Sequence, residues 1–133
     1  MPIEYEVLDD GQFIHARAVG TVTDEDFVEY EVAHACDERI KSPADELLDI
    51  APDATMQLTQ EGIQEALRKV KELGKRCPRR HCAVVVHSFR KEAWDLAKFY
   101  EALSRLHAPF SVIVFGNADI ANIWLGRAPF HQS

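Results

Sequence analysis

Residues 111–126 constrain the fold more than any other part of the chain. Ser111-Val112-Ile113-Val114-Phe115 is short, almost wholly apolar and rich in β-branched residues, so it reads as a buried strand. Gly116-Asn117 turns the chain. Asp119 to Leu125 then has the length of a short helix, and Gly126 stops it. A strand that feeds a helix packed through Trp124-Leu125 points to a small α/β regulatory or binding fold. It does not point to an active site.

The same alternation repeats upstream. Ile3, Tyr5 and Val7 alternate with Glu4 and Glu6, the pattern of a half-buried strand. Asp9-Asp10-Gly11 makes a hairpin turn, and Phe13 to Val19 is the returning strand. Thr23 caps a helix whose first turn carries Asp24, Glu25 and Asp26, where the helix dipole favours acids. Val28, Val32, Ala35, Cys36 and Ile40 form its expected buried stripe. Glu46 to Ile50 is the next strand, and Ala51 to Leu58 reads as a loop. Thr59 caps a second helix with Ile63, Ala66, Leu67, Val70 and Leu73 on one side and Gly74 at its end. Cys82-Ala83-Val84-Val85-Val86 reads as a strand at the centre of a covered sheet. Ser88 caps a third helix carrying Ala93, Leu96, Ala97, Tyr100 and Leu103. The order is ββαβαβαβα. It predicts a mixed sheet of about five strands, the later ones parallel, with helices packed on it.

Composition narrows the function classes. The 133 residues are 47% hydrophobic and 28% charged, enough for one core without staples. No apolar run approaches the roughly 20 residues of a membrane span. The N-terminus lacks the basic-then-apolar pattern of a secretion signal. Cys36, Cys77 and Cys82 are an odd number, which fits reduced thiols and a cytoplasmic setting. The net charge of −7 divides unevenly: residues 1–61 hold 16 acids and 3 bases, residues 62–133 hold 6 acids and 12 bases. Net acidity argues against nucleic acid as a partner. The division reads either as a surface where both signs mix after folding, or as two faces that orient a partner or a second copy.

Four landmarks in this order carry a family resemblance. They are Gly20-Thr21-Val22-Thr23 after the hairpin; Leu47-Leu48-Asp49-Ile50 with Leu58-Thr59-Gln60-Glu61-Gly62-Ile63; Ala83-Val84-Val85-Val86 with Leu96 to Leu103; and Val114-Phe115 with Ala121 and Trp124-Leu125-Gly126. Over residues 3–126 the chain resembles the SpoIIAA-like family of bacterial STAS-like domains, related in fold to CRAL-TRIO lipid-binding domains. The resemblance implies one STAS-like domain over residues 1–133. Antagonists of anti-sigma factors in that class carry a phosphorylatable serine at the start of the helix after the Leu-Asp strand. With Gly62 matched to the family's glycine, Glu61 stands at the serine position. Thr59 and Glu61 are therefore the regulatory position that the resemblance implies, although helix capping is a sufficient reason for Thr59.

Candidate chemistry is sparse. Cys77, His81 and Cys82 are residue types that zinc prefers, but their spacing matches no usual zinc module and Arg79 and Arg80 repel a cation. Cationic neighbours lower a thiol's pKa, which makes Cys77 a candidate reactive thiol. His87 beside Ser88 mimics a base and nucleophile, yet adjacent residues rarely bring their tips together. Pro2 invites comparison with the N-terminal proline base of tautomerases, but the immediate hairpin departs from that pattern. The remaining histidines are scattered, and no phosphate-cradling glycine loop is present. The expectation is no catalytic residue, metal or cofactor.

Binding features are clearer. Seven bases crowd residues 68–80, and Lys75, Arg76, Arg79 and Arg80 form a candidate anion patch, weighed against plain solvated charge. Trp94, Phe99 and Leu106 lie off the main stripe of the third helix. Trp94 and Phe99, together with Tyr100, suggest a dimer contact or, second, a pocket between the last two helices with Arg90 at its mouth. The sequence therefore predicts a non-enzymatic cytoplasmic regulatory or protein-interaction module, homo-oligomeric or bound to another protein. The alternative is a carrier or sensor of a small lipophilic or anionic ligand. Neither reading involves nucleic acid or integral membrane contact.

Overall fold

The structure is a computed structural model and describes residues 2–73, 78–87 and 90–127. Its core is a five-stranded sheet in the order β1-β2-β4-β6-β7. β1 (Ile3–Leu8) and β2 (Phe13–Ala18) form the antiparallel hairpin. Between them, Asp9 and Asp10 have φ of 53° and 54° and Gly11 has φ of 95°. A Cβ on Gly11 would lie 2.3 Å from the Arg39 carbonyl oxygen, so only glycine fits that turn. β2, β4 (Ala44–Ile50), β6 (Arg79–Val85) and β7 (Ser111–Phe115) are parallel to one another.

Strand alternation assigns the helices to two layers. Ala16, Ala18, Leu48, Ile50, Val84, Val112 and Val114 point into the larger core with α1 (Asp24–Ala35), α2 (Gln60–Glu72) and α3 (Lys91–His107). Phe13, Leu47, Ala83 and Val85 point the other way and meet Ala121 and Leu125 at α4 (Ala118–Trp124). β4 and β6 are covered on both sides, which is why Leu47-Leu48 and Cys82-Ala83-Val84-Val85 are apolar on both faces, while their first residues carry Glu46 and Arg79 into the core. The caps follow the sequence. Thr23 and Asp26 form a reciprocal capping box, Thr59 Oγ1 accepts from the Gly62 amide at 3.0 Å, and Asn117 Oδ1 accepts from the Asp119 amide at 2.7 Å.

Two expectations change. The stretch read as a loop contains β5 (Thr55–Gln57), which pairs in parallel with β3 (Thr21–Thr23). β2 and β4 are parallel neighbours, so the segments that continue them lie side by side. The expected stripe of α1 is also displaced. Its buried residues are Phe27, Tyr30, Glu31 and His34, whereas Cys36 is exposed. Gly74 and Ser88, expected to end α2 and cap α3, lie outside the described residues. The residue before α3 is Arg90, which makes no side-chain cap.

Candidate functional site

Phe27, Tyr30, Glu31 and His34 recur at helical spacing, so α1 turns them together onto the sheet. β4 adds Glu46, β6 adds Arg79 and Cys82, and α3 adds Tyr100; every one of these is buried. Arg79 Nη1 donates to Glu46 Oε1 at 2.8 Å and lies 3.1 Å from Glu31 Oε2. The Arg79 guanidinium also lies over the Phe110 ring, 3.7 Å from its centroid, a cation–π contact. His34 Nε2 is 3.4 Å from both Glu31 Oε2 and Glu46 Oε2. On its other side, His34 Nδ1 lies 2.7 Å from the Tyr30 carbonyl oxygen. A carbonyl only accepts, so Nδ1 carries its hydrogen there. Tyr100 donates its hydroxyl to Glu31 Oε1 at 2.6 Å, and Tyr30 donates to Glu46 Oε2.

The electrostatics are set by that arrangement. Burial works to raise the Glu46 carboxyl, but the charges of Arg79 and His34 outweigh it, with hydrogen bonds from His34 and Tyr30. The carboxyl is held below the usual carboxylate range. Burial works to lower the Arg79 pKa, and Glu31 and Glu46 reverse it. The Tyr30 phenol is pushed well up by burial and then by Glu46. Burial and Glu31 raise Tyr100 likewise, against the opposing pull of Arg79. Burial, then Glu46, raises the Cys82 thiol. A thiol held protonated is not a nucleophile. The cluster contains acids, a base and a thiol, but their tips are enclosed and turned on one another. What the arrangement can do is fix α1, β4, β6 and α3 in one register.

A second polar junction ties α1 to α2. Asp24 accepts from the Thr59 amide at 2.6 Å and from the Thr59 hydroxyl at 2.7 Å. The Asp24 carboxylate also packs where a side chain at residue 62 would go: a Cβ on Gly62 would lie 2.1 Å from Asp24 Oδ1. Glu61 is exposed beside it, and with Asp24, Glu25, Glu29 and Glu65 it lines an acidic groove of about 400 Å³ between α1 and α2. The Thr59 hydroxyl thus both caps α2 and bonds Asp24. A phosphate there would meet carboxylates.

The other predicted site residues disperse. Arg79 does not join a surface anion patch, because its guanidinium is inside the protein neutralising Glu31 and Glu46. Arg80 is exposed but donates to Asp45 Oδ2 at 2.9 Å. Lys75 and Arg76 lie outside the described residues. Arg90 stands at no pocket mouth: it donates to the carbonyls of Pro52 and Ala54, clamping the chain between β4 and β5. Tyr100 is core, edge-on to Phe27 with ring centroids 5.4 Å apart. Trp94 and Phe99 are half-buried against the larger core. Among the described residues α3 and α4 enclose no pocket between them, since they lie on opposite faces of the sheet. The candidate zinc residues also part. His81 meets Trp124 on the α4 side, with ring centroids 5.0 Å apart, while Cys82 faces α1 and α3; Cys77 is outside the described residues. Among the described residues no group of three His, Cys, Asp or Glu side chains is placed to hold a metal. Pro2 is tied into the edge hairpin through its carbonyl, which accepts from the Val19 amide at 2.8 Å.

This architecture has a counterpart among solved structures. A crystal structure from Shewanella loihica PV-4, an uncharacterized protein of the DUF3478 family with a SpoIIAA-like fold, superposes with a TM-score of 0.54. The match covers 92% of this chain and 91% of the other at 20% identity. The chain has a SpoIIAA-like fold. No family model matches the sequence, and no curated protein does. The SpoIIAA-like architecture accounts for the strand order and the helical layer, and at this identity it carries no residue roles. No helix among the described residues is long and apolar enough to cross a membrane.

Sequence reasoning missed Glu31, His34 and Glu46. The available signal was in α1 itself: Phe27, Tyr30, Glu31 and His34 share one helix face, and Glu46 sits directly before Leu47-Leu48 in β4. A face mixing aromatics with one acid and one histidine reads as solvated until its partner is seen, and that partner is Arg79 of β6.

Proposed function

We propose that this SpoIIAA-like chain is a non-enzymatic regulatory module that works through protein contacts in the cytoplasm, and that it self-associates through α4. The observation that carries this reading is the outward side of that helix. Ile120 and Ile123 are 57% and 62% exposed, three residues apart and beside half-buried Trp124. The inward side of α4 is already supplied by Ala121 and Leu125. Asp119 is the helix's one charged residue. Two copies related by a two-fold axis therefore bring apolar ridge onto apolar ridge without opposing like charges. The enclosure of the Glu31–His34–Glu46–Arg79 cluster supports the absence of catalysis.

Native mass spectrometry and sedimentation velocity test the reading together. The wild-type chain is expected to be a dimer, and Ile120→Glu with Ile123→Glu a soluble folded monomer. A wild-type monomer, or an unchanged subunit count in the double variant, overturns it. A carrier function finds less support. The hollow under β5, lined by Phe27, Met56, Ile63, Leu96 and Tyr100 among others, is about 30 Å³, well below the roughly 300 Å³ of a small-molecule site. A co-purified small molecule in the same mass spectrum would favour the carrier.

A further inference from the structure

We propose that the groove between the C-terminal halves of α2 and α3 docks an acidic amphipathic helix of a partner protein. The inference rests on the interaction-module reading but uses a different surface from α4. Two adjoining hollows of about 410 and 280 Å³ share Leu67, Lys71 and His107 in their walls. The first is floored by Val70, Leu73 and Phe110, and the second reaches Leu103. Leu67 and Val70 are three residues apart on α2, and Leu103 and Leu106 are three apart on α3. They make two apolar ridges with a channel between them, the surface into which a third helix packs its own ridges.

Charge selects the partner. Among the described residues no carboxylate lines either hollow; the cation that lines both is Lys71, beside His107, while the charge of Arg68 in the second is answered by Glu65 and Glu72. Although the chain's net charge is −7, the groove borders its most basic stretch, residues 68–80. The nearest acids on α2 are already engaged: Glu65 and Glu72 both accept from Arg68. Toward the N-terminal end of α2, Asp24, Glu25, Glu29 and Glu61 line the acidic groove with one base, Lys69, so a basic partner has a better surface there. An acidic partner is left with the α2–α3 groove.

Shape selects a protein segment over a small lipophilic anion. A ligand carrier encloses about 70–90% of what it binds. Here Leu106, on the rim, is 77% exposed among the described residues. An exposed leucine on the rim suits a partner helix that lies across it and brings its own apolar side chains. The Arg79 guanidinium stacked on Phe110 stiffens the floor from beneath, so the groove is formed before the partner arrives.

The test is selection of a displayed library of random peptides, about 14 residues long, on the purified full chain, followed by affinity measurement with the strongest labelled peptide. The expected winners carry Leu, Ile or Phe at helical spacing together with net negative charge. Leu106→Asp and Lys71→Glu, both at exposed positions, are each expected to weaken binding by about tenfold or more. Ile120→Glu with Ile123→Glu is expected to leave it unchanged. Enrichment of basic peptides, no enrichment, or affinity indifferent to Leu106→Asp and Lys71→Glu overturns the proposal. So does a fluorescent fatty acid that binds the wild type and is lost in both groove variants, because the groove then belongs to a lipid. A dimer that captures no acidic peptide refutes the groove alone, and a monomer that captures one refutes the α4 interface alone.

Discussion

Replacing Arg79 by methionine removes the charge that lets two buried carboxylates coexist. Arg79 stands 2.8 Å from Glu46 Oε1 and 3.1 Å from Glu31 Oε2, and methionine keeps much of the side chain's length and apolar contact. Breaking a buried ion pair by removing one partner costs about 3–5 kcal/mol, because the charge left behind is uncompensated. Here two carboxylates are left to one His34, so the upper part of that range is expected at neutral pH. With a urea dependence of about 2 kcal/mol per molar, the unfolding midpoint falls by roughly 2 M.

The pH dependence carries the sharper test. In the wild type the Glu46 carboxyl is depressed below its ordinary 4.5. Its contribution is therefore fully present above that value and lost as pH falls through the lower folded-state value. Without Arg79, burial is no longer outweighed, and the folded-state value moves above 4.5. The native variant then takes up a proton that the unfolded chain does not, and it gains stability as pH falls through that raised value. The gap between wild type and variant is expected to be widest near roughly pH 7.5 and to narrow toward roughly pH 5. Urea titrations followed by Trp94 and Trp124 fluorescence and by circular dichroism read both quantities. Adding Glu31→Gln and Glu46→Gln is expected to restore much of the loss, since the penalty is charge rather than volume. A loss below about 1 kcal/mol at neutral pH, or a gap that does not narrow on acidification, refutes the reasoning.

Gly62→Ala is expected to destabilise the chain by about 1–3 kcal/mol in the same titration, although alanine normally improves a helix interior by about 1 kcal/mol; the new methyl displaces Asp24 from Thr59. Tyr100→Phe removes the 2.6 Å bond to Glu31 and is expected to cost about 1.5–3 kcal/mol, as for hydrogen bonds to charged groups; a neutral result would mean that Glu31 is satisfied elsewhere. Arg90→Met frees the Pro52 and Ala54 carbonyls and is expected to speed amide hydrogen exchange across Thr55–Gln57 with little change in global stability. Peptide mapping after alkylation is expected to find Cys36 modified in the native protein and Cys82 modified only on unfolding, because burial and Glu46 keep the Cys82 thiol protonated.

The basic second half of the chain reaches back into the acidic first half. Arg79 joins Glu31 and Glu46, Arg80 joins Asp45, and Arg127 joins Asp9. Part of the charge division visible in the sequence is therefore answered across the fold. These pairs mix the two signs after folding, one of the two ways the division could be read beforehand.

The local chemistry of the chain settled the order of the five main-sheet strands and the four helices, but not the small β3–β5 pair. Alternation marked β1 and β2, Leu47-Leu48-Asp49-Ile50 marked β4, apolar runs marked β6 and β7, and Thr23 and Thr59 were legible as side chains that satisfy the first amides of their helices. These signals act within a few residues and survive without tertiary context. The cap of α2 was legible in this way at Thr59, but the carboxylate of Asp24 against Thr59 and Gly62 was not. What neighbours in space determine was not legible elsewhere either. The buried face of α1 belongs to Glu31 and His34 because Arg79 arrives from a strand far along the chain. Tyr100 became core, and Arg90 a clamp, for the same kind of reason. The layer that α4 occupies depends on which face of β4 and β6 the first three helices leave open. A charged side chain looks solvated in sequence because nothing there reveals its counter-charge; only the folded sheet supplies one.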